Sequence, residues 1–164
     1  MTARAAGSRS RSRKKEPAMD VRDELEIRNL IARVAWLTDT WSEPSDYIAL
    51  YTEDCTWQVE GQQVYRGHTG IRQRMQEMLE QRVCGPGVPA RHCVTSLEII
   101  PDAERSDVAM ARSIGLMMSM SPYGRPVPAI YGEKYDEVVK NAGVWKIRAR
   151  LIKALAWSTE DSAT

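Results

Sequence analysis

His68 and His92 are the two side chains of this sequence that ordinarily titrate near neutral pH, and so the first candidates for moving a proton. His92 falls in the run from Arg91 to Ile100. There, strict alternation puts His92, Val94, Ser96 and Glu98 on one face of a strand and Cys93, Thr95, Leu97 and Ile99 on the other. One face is apolar and the other mixed. A lone strand histidine is more often a structural hydrogen-bonder than a catalyst, so its type does not settle its role. Cys55, Cys84 and Cys93 are odd in number and lack CxxC or Cys/His ligand spacing, which argues against disulfides and structural zinc. Two histidines cannot form a multi-histidine metal site, and the spacing of the carboxylates gives no support to an acidic one. The chain also has no glycine-rich phosphate loop and no GxSxG elbow.

The elements that must position these groups follow from hydrophobic period. From Asp20 onward, Ile27, Leu30, Ile31, Val34, Leu37 and Trp41 recur at spacings of three and four and predict an amphipathic helix. Pro44 opens a short second helix over Ser45 to Tyr51. Alternation then predicts a strand from Cys55 that ends at Gly61 and a short return strand at Val64–Arg66. Thr69 is the expected cap of a third helix carrying Ile71, Met75, Met78 and Leu79. Beyond the Gly85–Pro89 loop the rest reads as strands: Arg91–Ile100, Asp107–Met120, Ile130–Lys140 and Val144–Trp157. In the second of these, Ala109, Ala111, Ser113, Gly115 and Ser119 form a small face, with Met117 as its bulky exception. Small residues on a concave face leave room for a ligand, and they equally suit packing under helices. Helices first and a long sheet afterwards is an α+β order.

The runs EIRNLIARVAWLTDT, ALYTEDCTWQVEG, YRGHTGIRQRM, RHCVTSLEI and YGEKYDEVVKNAGVWKIRAR, in this order and spacing, resemble the SnoaL-like group of the cone-shaped nuclear-transport-factor-two-like superfamily. The likeness spans nearly all of Asp20 to Trp157 and is similar to scytalone dehydratase, the bile-acid dehydratases and hexachlorocyclohexane dehydrochlorinase. It implies a strongly curved mixed or antiparallel sheet wrapped around the N-terminal helices, with an apolar central pocket. It also implies a dyad, because the Asp near the end of the first helix and the His on a central strand correspond to Asp39 and His92. A carboxylate holding one imidazole nitrogen raises the basicity of the other, which can then remove a carbon-bound proton without any cofactor. Elimination of water or halide, or migration of a double bond, would follow on a polyketide, steroid or terpenoid type of substrate.

Other positions carry over on the same ground. Arg150 matches the basic residue after the GxWxI strand and is the expected oxyanion stabiliser, with Arg148 beside it and an exposed ladder of Lys146, Arg148 and Arg150 as the bland alternative. By residue type rather than by family position, Trp36, Val34, Tyr51, Trp57, Gly115, Met117 and Tyr131 are the expected pocket wall, and they suit a plain core equally well. Val34 stands where the family often has Tyr, leaving Tyr51, Tyr131 or Tyr135 to supply a hydroxyl. No second carboxylate is found near Gly115. On a helical wheel Asp39 points some 140° away from Val34, off the apolar stripe, and the helix is expected to loosen near Thr38. The alternative from another class is a non-catalytic binding or scaffolding domain like the small subunits of ring-hydroxylating dioxygenases. A limonene-epoxide type of hydrolase is disfavoured, because its Asp–Arg–Asp arrangement cannot be placed.

Lys and Arg total 23 against 22 for Asp and Glu, but Arg4, Arg9, Arg11, Arg13, Lys14 and Lys15 crowd the start of the chain. Residues 1–18 are therefore expected to be a disordered basic tail, 19–158 the folded domain, and 159–164 a disordered end, with Met19 as a candidate true start. The remainder is acidic, so nucleic-acid binding is not expected outside the tail. Without a secretory signal or an apolar run of roughly 18 residues, the expectation is a cytoplasmic protein that does not enter membranes. A homodimer through the open face of the sheet is the expected assembly.

Overall fold

A computed structural model describes residues 19–157. The expected tail, residues 1–18, and the expected end, 159–164, lie outside the described residues. Helix α1 runs from Val21 to Thr40, started by the Asp20 side chain, which accepts from the Arg22 N–H at 2.9 Å, and helped by Asp23 and Glu24 in its first turn. It stays helical to Thr40 and does not loosen at Thr38 as expected. Pro44 starts α2, which is shorter than expected and ends at Ile48. Tyr51 already belongs to strand β1 (Tyr51–Val59), because Tyr51 pairs with Ile147 and the Ile147 N–H donates to the Leu50 carbonyl. Strand β2 spans Val64–Arg66, and α3 spans Gly67–Glu80. The α3 start precedes Thr69, and Arg66 at its cap makes no side-chain capping bond. Strands β3 (Arg91–Pro101), β4 (Val108–Met120), β5 (Pro126–Asn141) and β6 (Val144–Trp157) complete the chain.

The six strands form one mixed sheet in the order β2-β1-β6-β5-β4-β3. The β1 and β6 strands are parallel, and every other neighbouring pair is antiparallel. Helix α1 packs on β3 and β6, and α3 packs on β1 and β2. Ile27, Ile31, Ile71, Val138 and Ile147 meet in the core between helices and sheet. The result is an α+β cone. In β4 the small side chains Ala109, Ala111 and Ser113 are buried, with Met117 on the same face, so the small face is the inner face.

Bulges decide which side chains reach the interior. In β3 the register slips by one residue between Thr95 and Glu98, and Ser96 takes a positive φ of 49°. Perfect alternation therefore fails, and His92 and Val94 turn inward together with Leu97 and Ile99, while Cys93 is exposed. A second slip, between Glu137 and Val138, places one extra residue in β6, Arg148. Ile147 and Arg150 both turn inward as a result, three positions apart, and the expected ladder of Lys146, Arg148 and Arg150 does not form.

Gly115 on β4 and Gly132 on β5 are cross-strand partners. A Cβ at Gly115 would stand 2.4 Å from Lys134 Cε, the flexible end of a side chain, whereas at Gly132 it would stand 2.3 Å from the Lys153 carbonyl oxygen. Gly132→Ala should therefore cost about 1–3 kcal/mol through backbone displacement. Gly115→Ala should cost clearly less, because the lysine can move. Chemical denaturation of the two variants checks the order, and equal losses would contradict the contact assignment.

Candidate functional site

Along α1, Ile27, Ile31, Ala35 and Asp39 follow one another at steps of four and are all buried. Each step advances about 40° beyond a full turn, so the line winds around the helix and delivers Asp39 to the edge of β3 rather than to solvent. The Asp39 side chain is 3% exposed as a residue, and one carboxylate oxygen accepts the His92 backbone N–H at 2.6 Å. The other lies 2.7 Å from His92 Nδ1. A carboxylate only accepts, so Nδ1 carries the proton and Nε2 keeps its lone pair. Burial pushes the His92 pKa below its ordinary 6.5, the bond to Asp39 works in the opposite direction, and the charge of Lys134 lowers it further. His68, the other histidine, has its Nε2 3.1 Å from the Tyr51 carbonyl.

His92 forms part of the wall of a partly open cavity of about 80 Å³. Trp57, Val59, Met117, Ile130 and Ile152 supply apolar wall from the sheet, Arg74 and Met78 come from α3, and the glycine pair leaves the floor without side chains. Of the expected wall, Trp57, Gly115 and Met117 line this space. Val34 and Tyr51 are core residues outside its lining, and the Tyr51 hydroxyl is 2.7 Å from that of Tyr47. Trp36 is 67% exposed and Tyr131 43% exposed, both on outer surfaces, because α1 turns its 27/31/35 line inward and β5 alternates Gly132 and Lys134 against Tyr131. Tyr135 bonds Glu133 at 2.7 Å. Arg150 is buried but does not line the cavity: Nε and Nη2 donate to the two Asp136 oxygens at 2.6 and 2.8 Å. Burial opposes its charge, and the Asp136 carboxylate overrides that and raises its pKa. A guanidinium held bidentately is committed to structure.

Lys134 and Asp136 are not among the residues that the sequence singles out. Both sit on the inner face of β5, in the alternation Gly132, Lys134, Asp136, Val138, and two charges on a face that ends in Val138 were the signal available. Lys134 is 8% exposed, lines the cavity, and has its pKa pushed down from 10.5 to about 8, first by burial and then by Arg150. Cys84 is also near: its sulfur and the ligand atoms of Asp39 and His92 lie within 4.8 Å of one another. That trio is a poor metal site. Both Asp39 oxygens already accept N–H bonds, and burial, reinforced by Asp39, pushes the Cys84 thiol up to about 12, which keeps it protonated.

The opposing influences on His92 can be separated by titration. Asp39→Asn removes the group that favours the imidazolium, so the His92 pKa should fall further; Lys134→Met removes a repelling charge, so it should rise. Because the folded state resists protonation, the unfolded chain takes up this proton first as pH drops below about 6.5. The stability present above that pH is then lost down to the folded pKa. NMR titration of the imidazole in the three proteins reads the shifts. Shifts of the reverse sign, or none, would overturn the assignment.

No curated protein matches the chain. Among solved structures, it is similar to an NTF2-like protein with a cystatin-like fold from Novosphingobium aromaticivorans (19% identity, TM-score 0.72, covering 85% of this chain and 86% of the other). A protein of unknown function with a cystatin-like fold from Nostoc punctiforme gives 24% identity and a TM-score of 0.69 over 83% and 93% of the two chains. A candidate scytalone dehydratase from N. aromaticivorans gives 19% and 0.67 over 84% and 87%. These likenesses show the fold. The SnoaL-like domain family matches residues 19–151, from the start of the described fold into β6, and the chain belongs to that family.

Proposed function

We propose that this protein is a cofactor-free lyase or isomerase that removes a carbon-bound proton from a hydrophobic cyclic ketone of polyketide, steroid or terpenoid type. The observation that carries this reading is the 2.7 Å contact between Asp39 and His92 on the wall of an apolar cavity. The Nε2 lone pair takes the proton from a carbon next to a carbonyl, and the electron pair moves onto the carbonyl oxygen. Asp39, already placed against Nδ1–H, stabilises the imidazolium that forms. The electron pair then returns to expel hydroxide or halide from the neighbouring carbon, with the imidazolium proton available to a departing hydroxide. Where nothing leaves, the proton returns to a different carbon and a double bond has moved. The depressed pKa suits this, since the imidazole is neutral and ready to accept at pH 7.

Assembly belongs to the same reading. Met110, Ile114, Leu116 and Met118 lie on the sheet face turned away from the helices, and Tyr131 is exposed beside them on β5. A second copy would cover them. Among the described residues no helix is long and apolar enough to cross a membrane.

Two outcomes are expected. With a substrate found by screening cyclic ketones and alcohols, His92→Ala and Asp39→Asn should each lower kcat by about two to four powers of ten. The double variant should be little worse than the weaker single one, because an unoriented base and an absent base fail at the same step. Full turnover in His92→Ala would transfer the case to the scaffolding reading. For assembly, light scattering at micromolar concentration should report a dimer, and a mass of 18.5 kDa would end that proposal.

A further inference from the structure

Among the described residues the interior holds four charged side chains: Asp39, Lys134, Asp136 and Arg150. Three have partners. Asp39 holds His92, and Asp136 holds Arg150. Lys134 has no ion-pair partner within 4.0 Å among the described residues, although its charge is felt by His92 and Cys84. An ammonium group removed from water and left unmatched is destabilising, so a contact that matches it is worth more here than at the surface.

Its place is built. The lysine stem lies over Gly115, where a side chain would collide with Cε and meet Nζ at 3.0 Å, and Lys134 and Gly115 both line the cavity. Arg74 lines the same space. Its Nε is buried without a hydrogen-bond partner, its guanidinium lies 4.9 Å over the Trp57 ring, and its nearest carboxylate, that of Glu77, is 3.8 Å away. Among the described residues the lining thus contains two cations and an imidazole, and no carboxylate. Asp39 stands behind His92. Such a wall repels cationic ligands, leaves neutral ones indifferent, and is complementary to an anion.

We propose that the cavity takes apolar molecules that carry, or develop as a proton leaves, a negatively charged oxygen of carboxylate, phenolate or enolate type, and that Lys134 Nζ is the donor that holds this oxygen. The inference rests on this cavity being the substrate site, and it supplies the electrophilic partner that Arg150, tied to Asp136, does not. In the proton transfer described above, the oxygen that receives the electron pair would lie against Lys134 while His92 holds the proton. Stabilisation of a developing oxyanion by a cationic donor on an apolar wall is among the largest contributions that a protein can make to such a step. A pKa near 8 still leaves the amine mostly charged at pH 7.

The test uses two probes of one shape, 2-naphthoate and the neutral 2-naphthylmethanol, titrated calorimetrically at pH 7. The full chain should bind the carboxylate at least about tenfold more tightly, as expected for a hydrogen bond to a charged group. Lys134→Met should reduce that preference to about twofold or less while leaving affinity for the neutral probe unchanged, which also reports an intact cavity. Lys134→Gln, which keeps a donor and loses the charge, should behave in the same way. The inference is overturned if the preference is absent from the parent, if it survives both substitutions, if it follows Arg74→Gln instead, or if both lysine variants lose the two probes equally. His92→Gln should keep the preference whatever happens to turnover. Failure of the proton-transfer reading and failure of the Lys134 reading therefore give different results.

Discussion

The Asp39 carboxylate accepts from both the backbone and the ring of His92, and through those two bonds the last turn of α1 is fastened to the outermost strand of the sheet. On an edge strand, half of the backbone groups face no neighbouring strand. The His92 N–H is one of them, and leaving it unpaired in the interior would cost about 1–3 kcal/mol. The same device recurs nearer the start of α1, where Arg28 donates to the Leu97 carbonyl of β3 at 3.3 Å. The helix therefore stands in for the strand that β3 lacks. The imidazole inherits its position from this closure, because the carboxylate that grips the backbone is also the one that orients the ring.

Around that closure the interior sorts its polar groups by the company each keeps. Asp136 and Arg150 neutralise one another across β5 and β6 with two parallel N–H to oxygen bonds, an arrangement that needs the bulge at Arg148 to turn the arginine inward. Breaking that pair by removing one partner leaves a buried charge, so it is demanding structurally whatever its net contribution to stability. Tyr47 and Tyr51 likewise satisfy each other, and burial raises the Tyr51 pKa above its ordinary value. Among the described buried charged side chains, Lys134, on the cavity wall, is the one without an ion-pair partner.

Element order and type were legible because they depend on period over ten or more residues. The stripe of Ile27, Leu30, Ile31 and Val34, and the alternation through β4, survive any local irregularity. The site was legible only where a family pattern named Asp39 and His92. Alternation counted from His92 put Leu97 and Ile99 on the wrong face, since one extra residue at Ser96 inverts every side chain beyond it. The same inversion at Arg148 hid the burial of Arg150. Relative to Val34 the helical wheel turns Asp39 off the apolar stripe, whereas its own line runs through Ile27, Ile31 and Ala35. Trp36 and Tyr131 were assigned to the cavity by residue type, and type does not report which face of an element meets a partner. Bulges arise from pairing between distant strands, so no local window contains them.

The two glycines of the cavity floor differ in what opposes them, and the difference bears on how this protein can change over evolutionary time. At position 132 the neighbour is main chain, fixed by the strand pairing, and a new side chain there would have to displace the sheet itself. At position 115 the neighbour is the far end of a lysine, which can swing aside. A lineage can therefore alter the volume and chemistry of the cavity through one residue without first acquiring compensating mutations elsewhere. The same substitution would relocate the amine, so cavity size and charge placement would drift together rather than independently.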